Sequence, residues 1–205
     1  MSFRPGEVVE ISERFPGGAA LSVLVDGRPA AAINYEALTG PAAPGDAVLL
    51  NVTAVELGLG TGGYHFVMAN LGGRGHQADG PGHIMKLRYT PLQLKVFAVE
   101  EEGSPYRPSL EACEDLAGMP VVIVPLHSLL APAVAGVKAF DPALKTAYLM
   151  TDAGALPLAW SRLVRELKEK GLVAATLTAG QAFGGDFEVV NVYSGLLAAK
   201  AVVGA

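Results

Sequence analysis

The sequence predicts an α/β protein in two parts: an N-terminal small antiparallel β-barrel followed by a Rossmann-like parallel α/β unit. Three observations carry that expectation. Residues 7–71 fall into five short β-prone runs, separated at regular intervals by Gly- and Pro-rich turns, as in small closed sheets. Residues 119–205 instead alternate apolar strand-like runs with helical patterns, the signature of parallel strands joined by helical crossovers. Between them, residues 82–93 hold the densest polar cluster of an otherwise apolar chain: His83, Lys86, Arg88, Tyr89 and Gln93. The expected division is a barrel over 1–75, a linker and junction strand over 76–118, and the α/β domain over 119–205.

The barrel elements follow from local pattern. Glu7–Phe15 alternates apolar and polar residues, the period of a half-buried strand, and Pro16-Gly17-Gly18 turns it. Ala20–Val25 and Ala30–Tyr35 flank Asp26-Gly27, a hairpin signal. Glu36–Thr39 reads as one helical turn before Gly40-Pro41, and Ala47–Leu57 and Tyr64–Leu71 as the last two strands. Spacing leaves open whether the barrel is OB-like or SH3-like. Gly58-Leu-Gly-Thr-Gly-Gly63 matches G-x-G-x-x-G, but β-prone Tyr64–Met68 follows where a dinucleotide site needs a helix N-terminus. It reads as a turn.

Gly72–Gly82 is a Gly-rich polar linker containing His76 and Asp79. The junction strand follows, with Lys86 and Arg88 set to pair with acidic neighbours or to face a cleft. Leu94–Val99 continues as a strand, and Pro108–Ala117 as a short helix with Ser109 as N-cap and Gly118 as its stop. Val121–Leu126 is a continuous apolar strand, Leu130–Phe140 a helix and Thr146–Met150 the next strand. The following helix places Trp160, Leu163, Val164 and Leu167 on one face and ends at Gly171. Val173–Thr178 is the third strand and Glu188–Val203 the third helix. Lys200 is the only charged residue between Val189 and Ala205, so that helix needs cover on both sides. A second subunit in a homo-oligomer, or a C-terminal region missing from this chain, would supply it.

Composition excludes several classes. A net charge of −5 gives no positive field for general nucleic-acid binding. The longest stretch without Asp, Glu, Lys or Arg, residues 116–137, is interrupted by Pro120, Pro125 and Pro132, which argues for a strand and a buried helix over a membrane span. The N-terminus lacks an apolar signal core and Cys113 is the only cysteine, which fits a cytoplasmic location. Acidic Glu111, Glu114 and Asp115 make Cys113 a poor nucleophile.

In an open parallel sheet, ligands bind beyond the carboxyl ends of the strands. Those ends carry His127 and Ser128, then Thr151 and Asp152, then Gly180, Gln181, Gly184, Gly185 and Asp186. His127 and Asp152 are the catalytic candidates, in acid–base or metal roles, and the 180–186 loop is the ligand cradle. Each has a plainer reading. His127 can simply bond a neighbouring backbone group, and Asp152, Ser128 and Asp186 can each cap a helix. No Lys completes a P-loop, no spacing motif argues for a metal, and no cofactor is specified.

Leu38-Thr39-Gly40-Pro41, Thr53–His65, residues 82–93, Met150-Thr151-Asp152 and Gly180–Asp186 together resemble a bacterial family known as domain of unknown function 3866. The resemblance covers nearly the whole chain, which looks like a truncated member. It implies no activity, cofactor or site residue, because the family has none established. The leading expectation is an enzyme acting on a small anionic metabolite at the strand ends. The alternative is a non-catalytic ligand-binding or assembly module whose barrel contacts a partner. A third is RNA contact by the barrel through Lys86, Arg88 and Tyr89.

Overall fold

The structure, a computed structural model, describes residues 1–72, 76, 80–154 and 157–204. Asp79 of the expected linker and Ala205 at the end of the expected α/β domain lie outside the described residues. The chain divides into two compact units, one of residues 1–80 and 90–94, the other of residues 81–89 and 95–205. Most of the expected linker and junction stretch is therefore part of the second unit.

The first unit is a closed five-stranded barrel of β1 (Phe3–Phe15), β2 (Gly18–Val25), β3 (Arg28–Tyr35), β4 (Ala47–Asn51) and β5 (Tyr64–Asn70). Its order is β1-β2-β3-β5-β4, closing on β1, with β3 parallel to β5 and the other pairs antiparallel. That is the Greek-key connectivity of an OB-type barrel, which spacing alone left open. Closure rests on β1. Register shifts after Val8 and Ile11 bend it, so its first residues pair with β4 while most of its length pairs with β2. Asp26 and Gly27 both take positive φ (49° and 73°), the geometry of a two-residue hairpin loop. Val8, Leu21, Val23, Val48 and Leu50 fill the interior at 1% exposure or less. Two short helices, α1 (Glu36–Thr39) and α2 (Thr53–Glu56), punctuate the barrel, so the expected fourth strand stops at Asn51.

The second unit centres on a parallel sheet of β8 (Ala147–Met150), β9 (Ala175–Ala179) and β10 (Phe187–Val189), in the order β10-β9-β8. Ala98 extends it by one parallel bridge beside Glu188. A separate two-stranded sheet pairs β6 (Ile84–Lys86) with β7 (Leu94–Val96). The helices are α3 (Arg107–Glu111), α4 (Leu130–Phe140), α5 (Arg162–Glu169) and α6 (Val192–Val203).

The period of two along each strand decides what each face meets. Tyr148 and Met150 pack with Leu130 and Val134 of α4 and with Val164 and Leu167 of α5. Ala147, Leu149, Leu177 and Ala179 turn the other way, toward Ala198 and Ala199 of α6. Gly195 lets α6 lie close to the sheet, since a Cβ there would collide with Leu149. Within its own unit, α6 buries Gly195, Ala198, Ala199 and Val203, and it packs on the sheet and on α3.

Five expectations need correction. Val121–Leu126 is not a sheet strand: it has no ladder partner among the described residues, and Val122 and Ile123 are 62% and 88% exposed. Apolar content without alternation could not distinguish a buried strand from an unpaired extended segment. The third helix begins at Val192, not Glu188, because Asn191 caps it by accepting from the Tyr193 and Ser194 amides and residues 187–189 join the sheet. Asp186 is accordingly no helix cap. Neither Ser109 nor Ser128 caps a helix: Tyr106 and Leu129 hold the N-cap positions of α3 and α4, without side-chain caps. No helix among the described residues is long and apolar enough to cross a membrane.

Candidate functional site

The even-numbered positions of β9 bring two buried threonines onto one face, and each meets a carboxylate ten residues later. Thr176 bonds Asp186 through both its amide and its hydroxyl, each at 2.9 Å. The other oxygen of Asp186 bonds the Lys168 ammonium. Thr178 donates to Glu188 Oε2 at 2.7 Å, and the same oxygen receives Lys86 Nζ at 2.5 Å. Two Thr–carboxylate–Lys chains thus run side by side.

Lys86 is only 1% exposed. Besides Glu188, its ammonium donates to the carbonyls of Thr178 (2.7 Å) and Ala182 (2.5 Å), so all three N–H groups are used. Lys86 therefore ties β6 to the end of β9 and does not face solvent or a ligand. The RNA reading loses its first residue on this ground.

Asp186 shows the electrostatic logic. Burial works against its charge, but the Lys168 bond and the two Thr176 bonds outweigh burial and hold its carboxyl below the ordinary 3.8. A depressed carboxylate contributes stability above the unfolded-state value and loses it as pH falls through the folded one. Asp186→Asn should therefore be less stable than wild type at pH 6, with the difference shrinking as pH falls below the ordinary carboxyl value of 3.8. A difference that does not shrink as pH falls through that range would contradict this assignment.

The 180–186 loop is closed on itself. Asp152 Oδ1 accepts from the amides of Gln181 and Ala182. Gly180 donates to Val190 O (3.2 Å), Gly184 to Glu188 Oε1 (2.8 Å), Gly185 to Thr178 Oγ1 (3.2 Å) and Asp186 to Thr176 Oγ1 (2.9 Å). These amides are spent on protein acceptors, so the loop offers a ligand its surface and not an anion-binding backbone. Gly180 has φ +65°, and a Cβ there would collide with the Asp152 carboxylate.

A cavity of about 270 Å³ opens beside this loop, at the carboxyl ends of β9 and β10. Its walls are His83, Ile84, Met85 and Arg88 on one side and Gly180, Gln181 and Val190 on the other. Arg88 gives its amide to Gln181 Oε1 at 3.3 Å, and among the described residues its guanidinium has no ion-pair partner. His83 Nδ1 lies 2.6 Å from the buried Glu101 carboxylate. Tyr89 is 98% exposed and does not line the cavity.

The remaining sequence candidates lie elsewhere. His127 Nδ1 is 2.9 Å from the Tyr148 hydroxyl and its Nε2 is 2.7 Å from Ser161 Oγ. Burial holds this imidazole below its ordinary 6.5. Neither His127, Ser128, Thr151 nor Asp152 lines the cavity. Gly184, Gly185 and Asp186 do not line it either. The cavity thus joins His83 and Arg88 of the junction cluster to Gly180 and Gln181 of the loop. Sequence reasoning named both groups without linking them, and it missed Glu188, Tyr148 and Ser161. The shared ten-residue offset of Thr176/Asp186 and Thr178/Glu188 was the readable clue to the first. Among the described residues no group of three or more His, Cys, Asp or Glu is placed to hold a metal ion.

No curated protein and no solved structure matches the chain significantly. A family model described as a protein of unknown function, DUF3866, matches residues 31–205. That match spans most of the sequence, and the chain therefore belongs to the DUF3866 family.

Proposed function

We infer that the second unit binds a small anionic metabolite in the cavity at the ends of β9 and β10. The observation behind this reading is the placement of the Arg88 guanidinium, without an ion-pair partner among the described residues, in the wall of a concave site beside Gly180 and Gln181. A cavity of about 270 Å³ suits a ligand of metabolite size. A planar guanidinium favours a carboxylate or phosphate, which it can hold in bidentate fashion. Asp152 acts here as a positioning residue that holds the loop wall, in place of the acid–base role expected from sequence.

A thermal-shift screen of phosphorylated and carboxylated metabolites tests the reading. A true ligand at a hundred times its Kd adds about 2.7 kcal/mol of stability. Arg88→Ala should weaken that ligand at least tenfold, about 1.4 kcal/mol, while leaving the unliganded melting temperature unchanged. If anionic ligands stabilise the wild type and Arg88→Ala equally, the cavity is not the site.

A further inference from the structure

Ser161 stands immediately before α5 and is its N-cap, accepting from the Val164 amide at 3.2 Å. Its hydroxyl has a second partner that a cap does not require: His127 Nε2, at 2.7 Å. The opposite ring nitrogen of His127 is fixed in turn by the Tyr148 hydroxyl at 2.9 Å. Nucleophile, base and orienting group within hydrogen-bond reach, in that sequence, is the arrangement by which serine hydroxyls are activated on unrelated folds. None of the three residues lines the cavity beside Arg88.

We propose that Ser161, His127 and Tyr148 form an esterase-type site, with Ser161 as nucleophile, His127 as general base and Tyr148 as the positioning residue. Further features of the same region suit that chemistry. Ser161 and His127 are each only partly buried, so a substrate can reach both, while Tyr148 is 8% exposed and held in the core. The first N–H groups of a helix have no intrahelical acceptor, and those of Arg162 and Leu163 follow Ser161 directly. That is where an oxyanion donor belongs when the residue after the nucleophile supplies it. Exposed Leu126 (62%) and Leu129 (38%) flank His127 and offer contact to an apolar acyl group. Burial keeps His127 neutral at pH 7 and Tyr148 protonated.

In the reaction, His127 Nδ1 carries the ring proton toward the Tyr148 oxygen, leaving Nε2 free to accept. Ser161 Oγ attacks the ester carbonyl carbon as Nε2 takes its proton. The carbon–oxygen bond to the alcohol breaks, and Nε2 returns that proton to the leaving alkoxide. Water then attacks the acyl-serine, gives one proton through Nε2 to Ser161 Oγ, and releases the carboxylic acid. Ester and water become acid and alcohol, with no further reactant.

An alkyl fluorophosphonate tests the site on the intact chain, because attack by an activated serine forms an oxygen–phosphorus bond and expels fluoride. Peptide mapping by mass spectrometry should find the adduct on Ser161 of the folded protein and none after heat denaturation. The labelling rate should rise with pH through the His127 titration and level off by neutrality. His127→Gln, which keeps a hydrogen-bonding side chain but no base, should slow labelling about a hundredfold or more. Tyr148→Phe should move the midpoint of the pH profile, a change that loss of packing alone would not produce. Ser161→Asp retains capping ability and should fold with no adduct at position 161, which separates capping from chemistry. Absence of an adduct on Ser161 in the folded wild type, or labelling of His127→Gln at the wild-type rate, would overturn the proposal and leave Ser161 a helix cap.

Discussion

Lys86→Met will destabilise the second unit by about 3–5 kcal/mol, the usual result of removing one partner from a buried, hydrogen-bonded ion pair. The methionine matches the aliphatic stem but takes a donor from three acceptors at once. The Thr178 and Ala182 carbonyls each lose a donor within 2.7 Å, and the Glu188 carboxylate keeps its Thr178 and Gly184 bonds but loses its only cation among the described residues. Unmet acceptors in a site with 1% exposure have little access to water in exchange. Urea denaturation followed by fluorescence of Trp160, the only tryptophan and a residue of the second unit, reads this loss directly. Adding Glu188→Gln should restore part of the stability, since the uncompensated charge is then gone. A loss below about 1 kcal/mol for the single variant would mean that the ammonium is not the tie described.

Gly180→Ala should cost about 2–4 kcal/mol and disable the cavity together. Two penalties combine. An alanine at φ +65° pays the left-handed cost of about 1–2 kcal/mol, and its methyl group enters the space of the Asp152 carboxylate. If the carboxylate moves aside, the Gln181 and Ala182 amides lose their acceptor and the loop wall beside Arg88 shifts. The two effects separate in a double-mutant cycle with Asp152→Ala. Removing the carboxylate relieves the collision, so the double variant should lose less than the sum of the singles. Strict additivity would show that Gly180 and Asp152 do not interact.

Much of the fold was legible where one local rule decided the outcome. Leu130–Phe140 is a helix with the expected bounds, and Asp26-Gly27 is the hairpin loop its composition announces. The parallel strands near 147–150 and 175–179 also stand close to where their apolar runs placed them. Legibility failed where two rules competed. Val121–Leu126 has strand composition, but sheet membership depends on a partner elsewhere in the chain, which composition does not encode. Residues 187–189 read as part of the following helix by apolar content, whereas Asn191, a capping residue three places before Ser194, starts that helix only at Val192. Lys86 shows the same limit at the site. A lysine among apolar residues reads as a surface charge or a ligand contact, and only the fold reveals that Glu188 waits for it 102 residues later.

That separation has a consequence for how the chain folds. The bonds of Lys86 bridge 92, 96 and 102 residues, so the full set cannot form until β9, the 180–186 loop and β10 are all in place. Closing loops of that length is entropically slow, and the reward arrives only at the end. During synthesis the barrel can fold as soon as its five strands leave the ribosome. The segment around Lys86, already made, must wait in an unfinished state for the sheet that will bury it. Folding of the second unit is then expected to be the later and slower event, with Lys86 locking it when it completes.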